Sequence, residues 1–182
     1  TRKQAVIDSA NTLVQKLFEA NPDFKIGVVG FSSLDSSKGE TEGTINDATL
    51  RLGLSNSEEE VKNAITNLAE LEEGPRTNIE AGLTIAQNNF STDEGVNRYI
   101  VLLTDGVPNN ATDGTSLTYS GVVATRTKAK IEEIQDSGIQ ILASMINLDS
   151  ETVEPTTQKT YRELAEEIFG TEENPTTSKY FY

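Results

Sequence analysis

The stretch Ile100-Val101-Leu102-Leu103-Thr104-Asp105-Gly106-Val107-Pro108-Asn109, entered through Arg98 and Tyr99, decides the fold. Five apolar residues run from Tyr99 to Leu103, making residues 98–104 the strongest strand signal in the chain, and the run stops at an Asp-Gly turn. On the carboxyl side, residues 120–136 carry helical periodicity, Gly138 reads as the C-cap, and residues 139–146 form another buried strand. A last helix covers residues 157–169, and Lys179-Tyr180-Phe181-Tyr182 begins a last strand. On the amino side, Ile79, Leu83 and Ala86 mark a helix over residues 78–89, and Val61, Ala64, Ile65, Leu68 and Leu71 mark one behind Glu58-Glu59-Glu60. Residues 24–31 form an apolar strand of the kind buried on both faces, and residues 48–54 partly alternate, as an edge strand paired with it through a long hairpin does. Val6, Ala10, Leu13, Val14 and Leu17 give an opening helix over residues 1–20. Strands separated by helices require right-handed crossovers. The chain is therefore expected to be a three-layer α/β domain, doubly wound, with a mostly parallel sheet, one antiparallel edge strand and helices on both faces.

Composition limits the chemistry. The 182 residues hold 29 Asp plus Glu against 15 Lys plus Arg, with no His and no Cys, for a formal charge of −14. Disulfides, thiolate or imidazole metal sites and Ser-His-Asp triads are excluded, so any metal is a hard, oxygen-liganded cation. The acidic balance argues against a nucleic-acid partner and an anionic membrane surface, and no apolar run is long enough to span a bilayer. The sequence contains neither a Gly-x-Gly-x-x-Gly after a strand nor a phosphate loop, and no second carboxylate is paired with Asp105, so no enzyme is expected. The acidic groups at 58–60, 132–133, 166–167 and 172–173 read as solvated faces.

Strand order sorts the loops. In open α/β sheets, ligands bind at the carboxyl ends of the strands. If the 24–31 strand ascends, segments 32–47, 72–78, 106–119 and 147–156 all gather at one rim.

Two segments of that rim, Gly74-Pro75-Arg76-Thr77-Asn78-Ile79-Glu80-Ala81-Gly82-Leu83 and residues 100–109, resemble in order and separation the von Willebrand factor type A family. The resemblance covers essentially the whole chain, read as a single domain over residues 1–182. It implies a metal-ion-dependent adhesion site in which Thr77 gives its hydroxyl to Mg²⁺ or Mn²⁺ and Asp105 binds the ion directly or through water. An octahedral ion with few carboxylate ligands leaves a position for an acidic side chain of a partner. Taken singly, Thr before a helix is an N-cap and Asp-Gly after a strand is a turn. Arg76 adds a cation beside the site that is expected to point away or pair with Glu72 or Glu73.

The family's Asp-x-Ser-x-Ser motif, at the end of its first central strand, does not occur in this sequence, nor does its terminal helix. Metal binding is thus conditional on that motif being supplied upstream, and the absent strand would lie between the 24–31 and 98–104 strands. The resemblance implies a non-catalytic adhesion module. The suggested setting is the surface or pilus tip of a Gram-positive bacterium, extracellular or in the cell wall, with a host matrix or cell-surface protein as ligand. An intracellular domain of the same family scaffolding a multiprotein complex is the alternative, with a hydrolase-like use of Asp105 behind it.

Overall fold

The computed structural model of the chain describes residues 2–32, 47–70, 76–104, 106–109, 112, 121–146, 151, 153–155, 157–171, 173, 176–177 and 179–181. Its strands are β1 (Ile26–Phe31), β2 (Ala48–Ser55), β3 (Arg98–Thr104), β4 (Ile139–Met145) and β5 (Lys179–Phe181), and its helices α1 (Arg2–Ala20), α2 (Glu58–Thr66), α3 (Ile79–Asn88), α4 (Gly121–Asp136) and α5 (Tyr161–Phe169). β3 and β4 pair in parallel from Arg98↔Ile139 to Thr104↔Met145, and β5 extends that ladder in parallel through Leu142↔Lys179. β1 and β2 pair antiparallel, with Phe31 opposite Ala48. The expected antiparallel edge strand is β2.

The strands lie in two sheets, ordered β1-β2 and β3-β4-β5. Between β1 and β3 lies a cavity of about 900 Å³, lined by both strands, by α1 through Ile7 and Val14, and by α3 through Leu83 and Ala86. This is the position at which the sequence reading expects an absent strand, and among the described residues no strand occupies it. The consequence is visible in burial. Residues 24–31 read as a strand buried on both faces, yet within β1 only Val28 is buried, because one edge borders the cavity. In β3, Ile100 and Leu102 are buried while Tyr99 and Val101, alternating onto the other face, stay exposed.

Local chemistry sets the element ends. Ser57 caps α2 by accepting the Glu60 amide, three acids fill the first turn, and the helix tightens to a 3₁₀ turn over Asn67–Glu70 instead of running α-helical to residue 71. Gly138 sits at φ +86°, the left-handed geometry expected after α4. The last helix begins at Tyr161, later than the expected 157, because Thr160 and Glu163 form a reciprocal capping box. Gln158, in the preceding turn, has a φ of 58°.

Two apolar clusters follow the two sheets. One joins Ile79 and Leu83 of α3 to β3, β4, α4 and α5 around Ile131, Ile141 and Phe169; the other joins Ile7, Val14 and Phe18 of α1 to Val28 and to Val61 and Ile65 of α2. α3 ties them together, since a Cβ on Gly82 would stand 2.9 Å from the ring of Phe31 in β1. Phe31 ends β1 and meets the start of α3, whereas Gly27 lies against Asn89 at its other end. Arg98, opening β3, donates to the carbonyls of Ser91 and Asp93 just past α3. Both strands thus run opposite to α3 and end at the same rim, as the strand-order reasoning expects.

Candidate functional site

The rim is organised by the head of α3. Asn78, fully buried, is the N-cap: its Oδ1 accepts the Ala81 amide at 3.0 Å, and its Nδ2 donates to Asp47 Oδ2 at 2.8 Å. The Ser32 amide donates to the Asp47 carbonyl at 2.9 Å, so the end of β1 is tied to α3 through Asp47. Because the cap is Asn78, Thr77 is not the helix cap that its position allowed, and its hydroxyl is not committed to α3.

Thr77 is instead stapled to the segment after β3. Its amide donates to Asn109 Oδ1 at 2.8 Å, and the Asn109 amide donates to the Thr77 carbonyl at 3.1 Å. This reciprocal pair brings the Thr77 Oγ1 to 3.7 Å from where a Cβ on Gly106 would stand. On the β3 side, buried Thr104 braces the turn, its Oγ1 accepting the Gly106 amide at 3.3 Å and donating to the Gly106 carbonyl at 3.0 Å. Asp105 lies outside the described residues, but its neighbours Thr104 and Gly106 are held, and Gly106 is beside Thr77. Arg76 lines the cavity between the sheets next to Thr77, and Glu72 and Glu73 lie outside the described residues.

A second polar cluster flanks the first. Glu80, in the first turn of α3, is buried, and Arg126 of α4 reaches it with Nη2 at 2.7 Å from Oε1 and Nε at 3.1 Å from Oε2. Thr112 joins through its amide, 3.1 Å from Glu80 Oε2, and its hydroxyl, 3.2 Å from Arg126 Nη2. Sequence reading passed over Asn78, Asn109, Asp47 and this ion pair. An Asn ahead of an apolar helical run is a legible cap signal, whereas partners 31 or 46 positions apart leave no local pattern.

Hard-cation chemistry asks for clustered oxygens. Thr77 supplies one, but Asp47 is engaged with Asn78 and Glu80 with Arg126, and among the described residues no three carboxylates gather into a cation cage. The Thr77 hydroxyl is an oxygen donor of the kind Mg²⁺ or Mn²⁺ takes, and the described residues alone form no metal site.

The model of the von Willebrand factor type A domain matches residues 2–181. The chain belongs to this family. Solved type A structures share its fold. The pilus adhesin SpaC from Lactobacillus rhamnosus GG, in its open conformation, superposes with a TM-score of 0.71 at 15% identity, over 99% of this chain and 26% of that one. The manganese-loaded TRAP protein of Plasmodium vivax gives 0.63 at 18% identity, over 97% and 59%. The SpRpn10 VWA domain gives 0.54 at 11% identity, over 98% and 73%. This type A domain therefore spans about a quarter of the SpaC chain. No curated protein matches it. Among the described residues, no helix is long and apolar enough to cross a membrane.

Proposed function

We propose that this single domain is a non-catalytic protein-binding module whose rim holds Mg²⁺ or Mn²⁺ through Thr77 and Asp105 and presents the ion to an acidic side chain of a protein ligand. The observation that carries the reading is the placement of Thr77: it stands before the true cap of α3, with its hydroxyl beside Gly106, two residues past the end of β3. Two oxygens leave most octahedral positions to water, to other oxygens of the protein and to the ligand. An ion at this point stands near the positive end of α3, so its charge is offset by acidic ligands rather than by the helix. The −14 formal charge fits such a division of roles, since a cation bridges an acidic module to an acidic ligand.

The family's adhesins supply the rest of the reading: a surface or pilus-tip protein of a Gram-positive bacterium, outside the cell, engaging a host matrix or cell-surface protein. The test is calorimetric titration of Mg²⁺ and Mn²⁺ into the full-length protein. Uptake of one ion that is lost in Asp105→Ala and weakened in Thr77→Ala is expected. Full-length protein that takes up neither ion contradicts the proposal.

A further inference from the structure

We propose that Glu80 and Arg126 are positioning residues for the cation rim. They clasp the segment that Thr77 shares and set its geometry without touching ion or ligand. The role rests on the proposed cation site; the clasp itself does not.

Among the described residues, the segment after β3 is fastened to the helices at Asn109 and at Thr112. Asn109 is bonded reciprocally to Thr77, and Thr112, three residues on, is bonded to both members of the Glu80–Arg126 pair. The fastening points sit on different bodies. Glu80 lies three residues after Thr77 at the head of α3, while Arg126 belongs to α4, whose Val123, Ile131 and Ile134 are fully buried. Neither helix can release the segment by a side-chain rotation alone. Arg126 engages both carboxylate oxygens through its planar fork, and the Thr112 hydroxyl accepts from the same nitrogen that meets Oε1. A lysine, whose three donors radiate from one nitrogen, lacks the planar fork that spans both carboxylate oxygens and the Thr112 hydroxyl in one geometry. Glu80 is buried, so loss of Arg126 leaves a carboxylate that must turn outward to regain water, taking the Thr112 amide bond with it. Among the described residues, the segment would then keep its bonds at Gly106 and Asn109 and lose those at Thr112.

The test uses the full-length protein with Glu80→Gln, Arg126→Met and Arg126→Lys. Hydrogen exchange in EDTA reads the clasp. In the first two variants, protection at Asn109 and Thr112 should fall about tenfold or more, the loss expected from one or two charge-assisted bonds, with Ile141 and Ala143 in β4 unchanged. Arg126→Lys should restore part of it. Unchanged protection at 109 and 112 overturns the clasp. Mn²⁺ titration then reads the positioning role: affinity should fall about tenfold in Arg126→Met and less in Arg126→Lys, following the loosened segment. Wild-type protein that binds Mn²⁺ no better than Arg126→Met, with the segment loosened, overturns that role. Wild-type protein that binds no Mn²⁺ removes the cation site and the role with it, while the exchange data still decide whether the clasp exists.

Discussion

Gly82→Ala separates two opposed effects at the point where α3 crosses from one sheet to the other. Alanine in a helix interior is favoured over glycine by about 1 kcal/mol, so on propensity alone the change is stabilising. The new Cβ, however, would stand 2.9 Å from Cγ and Cδ1 of Phe31 and 3.2 Å from its Cβ, whereas carbon atoms rest comfortably at about 3.5–4.0 Å. The Phe31 Cβ is itself part of the close contact, so rotating the ring does not clear it. α3 cannot back away either, because Ile79, Ala81 and Leu83 are fully buried on either side of Gly82. Overpacking of this kind costs about 1–3 kcal/mol, and the backbone anchoring of Phe31 places the cost in the upper half. The net expectation is a destabilisation of about 1–2 kcal/mol, read in urea as a midpoint lower by about half a molar. Gly121→Ala serves as the control: it opens α4 with nothing within 4 Å of its Cβ and should be neutral or slightly stabilising. A Gly82→Ala midpoint equal to or above wild type would refute the close packing of α3 on β1. Any shift of Phe31 also passes through Ser32 and Asp47 to Asn78, so the same variant should broaden the amide signals of Thr77 and Asn109 in NMR spectra.

Asn78→Ala removes both the cap and the bond to Asp47, and is expected to cost about 2–4 kcal/mol in urea denaturation; a loss below half a kilocalorie would contradict its place at the centre of the rim. Phe169→Ala empties the largest fully buried side chain of the α3–α5 cluster and should cost about 3–5 kcal/mol, measured the same way. The Thr160 amide and hydroxyl hold the Glu163 carboxyl below its ordinary value of 4.5, with Lys159 adding to them. Its capping contribution is thus present above the unfolded-state value and is lost as pH falls through the lower folded value. NMR titration should show Glu163 titrating below 4.5, and Glu163→Gln should flatten the acid limb of the stability profile; an ordinary titration would count against the capping box.

Much of the fold was legible because its signals are local. The apolar run at 98–104 became β3 with those bounds, Gly138 took the left-handed turn, and the partly alternating 48–54 segment became the antiparallel edge β2. What sequence could not give was set by tertiary geometry. β1 reads as doubly buried, but burial depends on what borders its free edge, and there the cavity lies. At the rim, the Thr77 and Asp105 segments were recognisable by their order and spacing. That Asn78 caps α3 was legible in an Asn ahead of an apolar helical run, whereas the reach of Arg126 back 46 positions to Glu80 is a product of packing between helices and carries no periodic mark.

Paramagnetic Mn²⁺ titration of the isotope-labelled full-length protein decides whether the rim beside Thr77 holds a divalent cation. Amide signals of Thr77, Gly106 and Asn109 should broaden first, at substoichiometric Mn²⁺, and Asp105→Ala should abolish the effect. Broadening confined to exposed acidic turns such as Glu58-Glu59-Glu60, with Thr77 and Gly106 untouched, would contradict a cation at this rim.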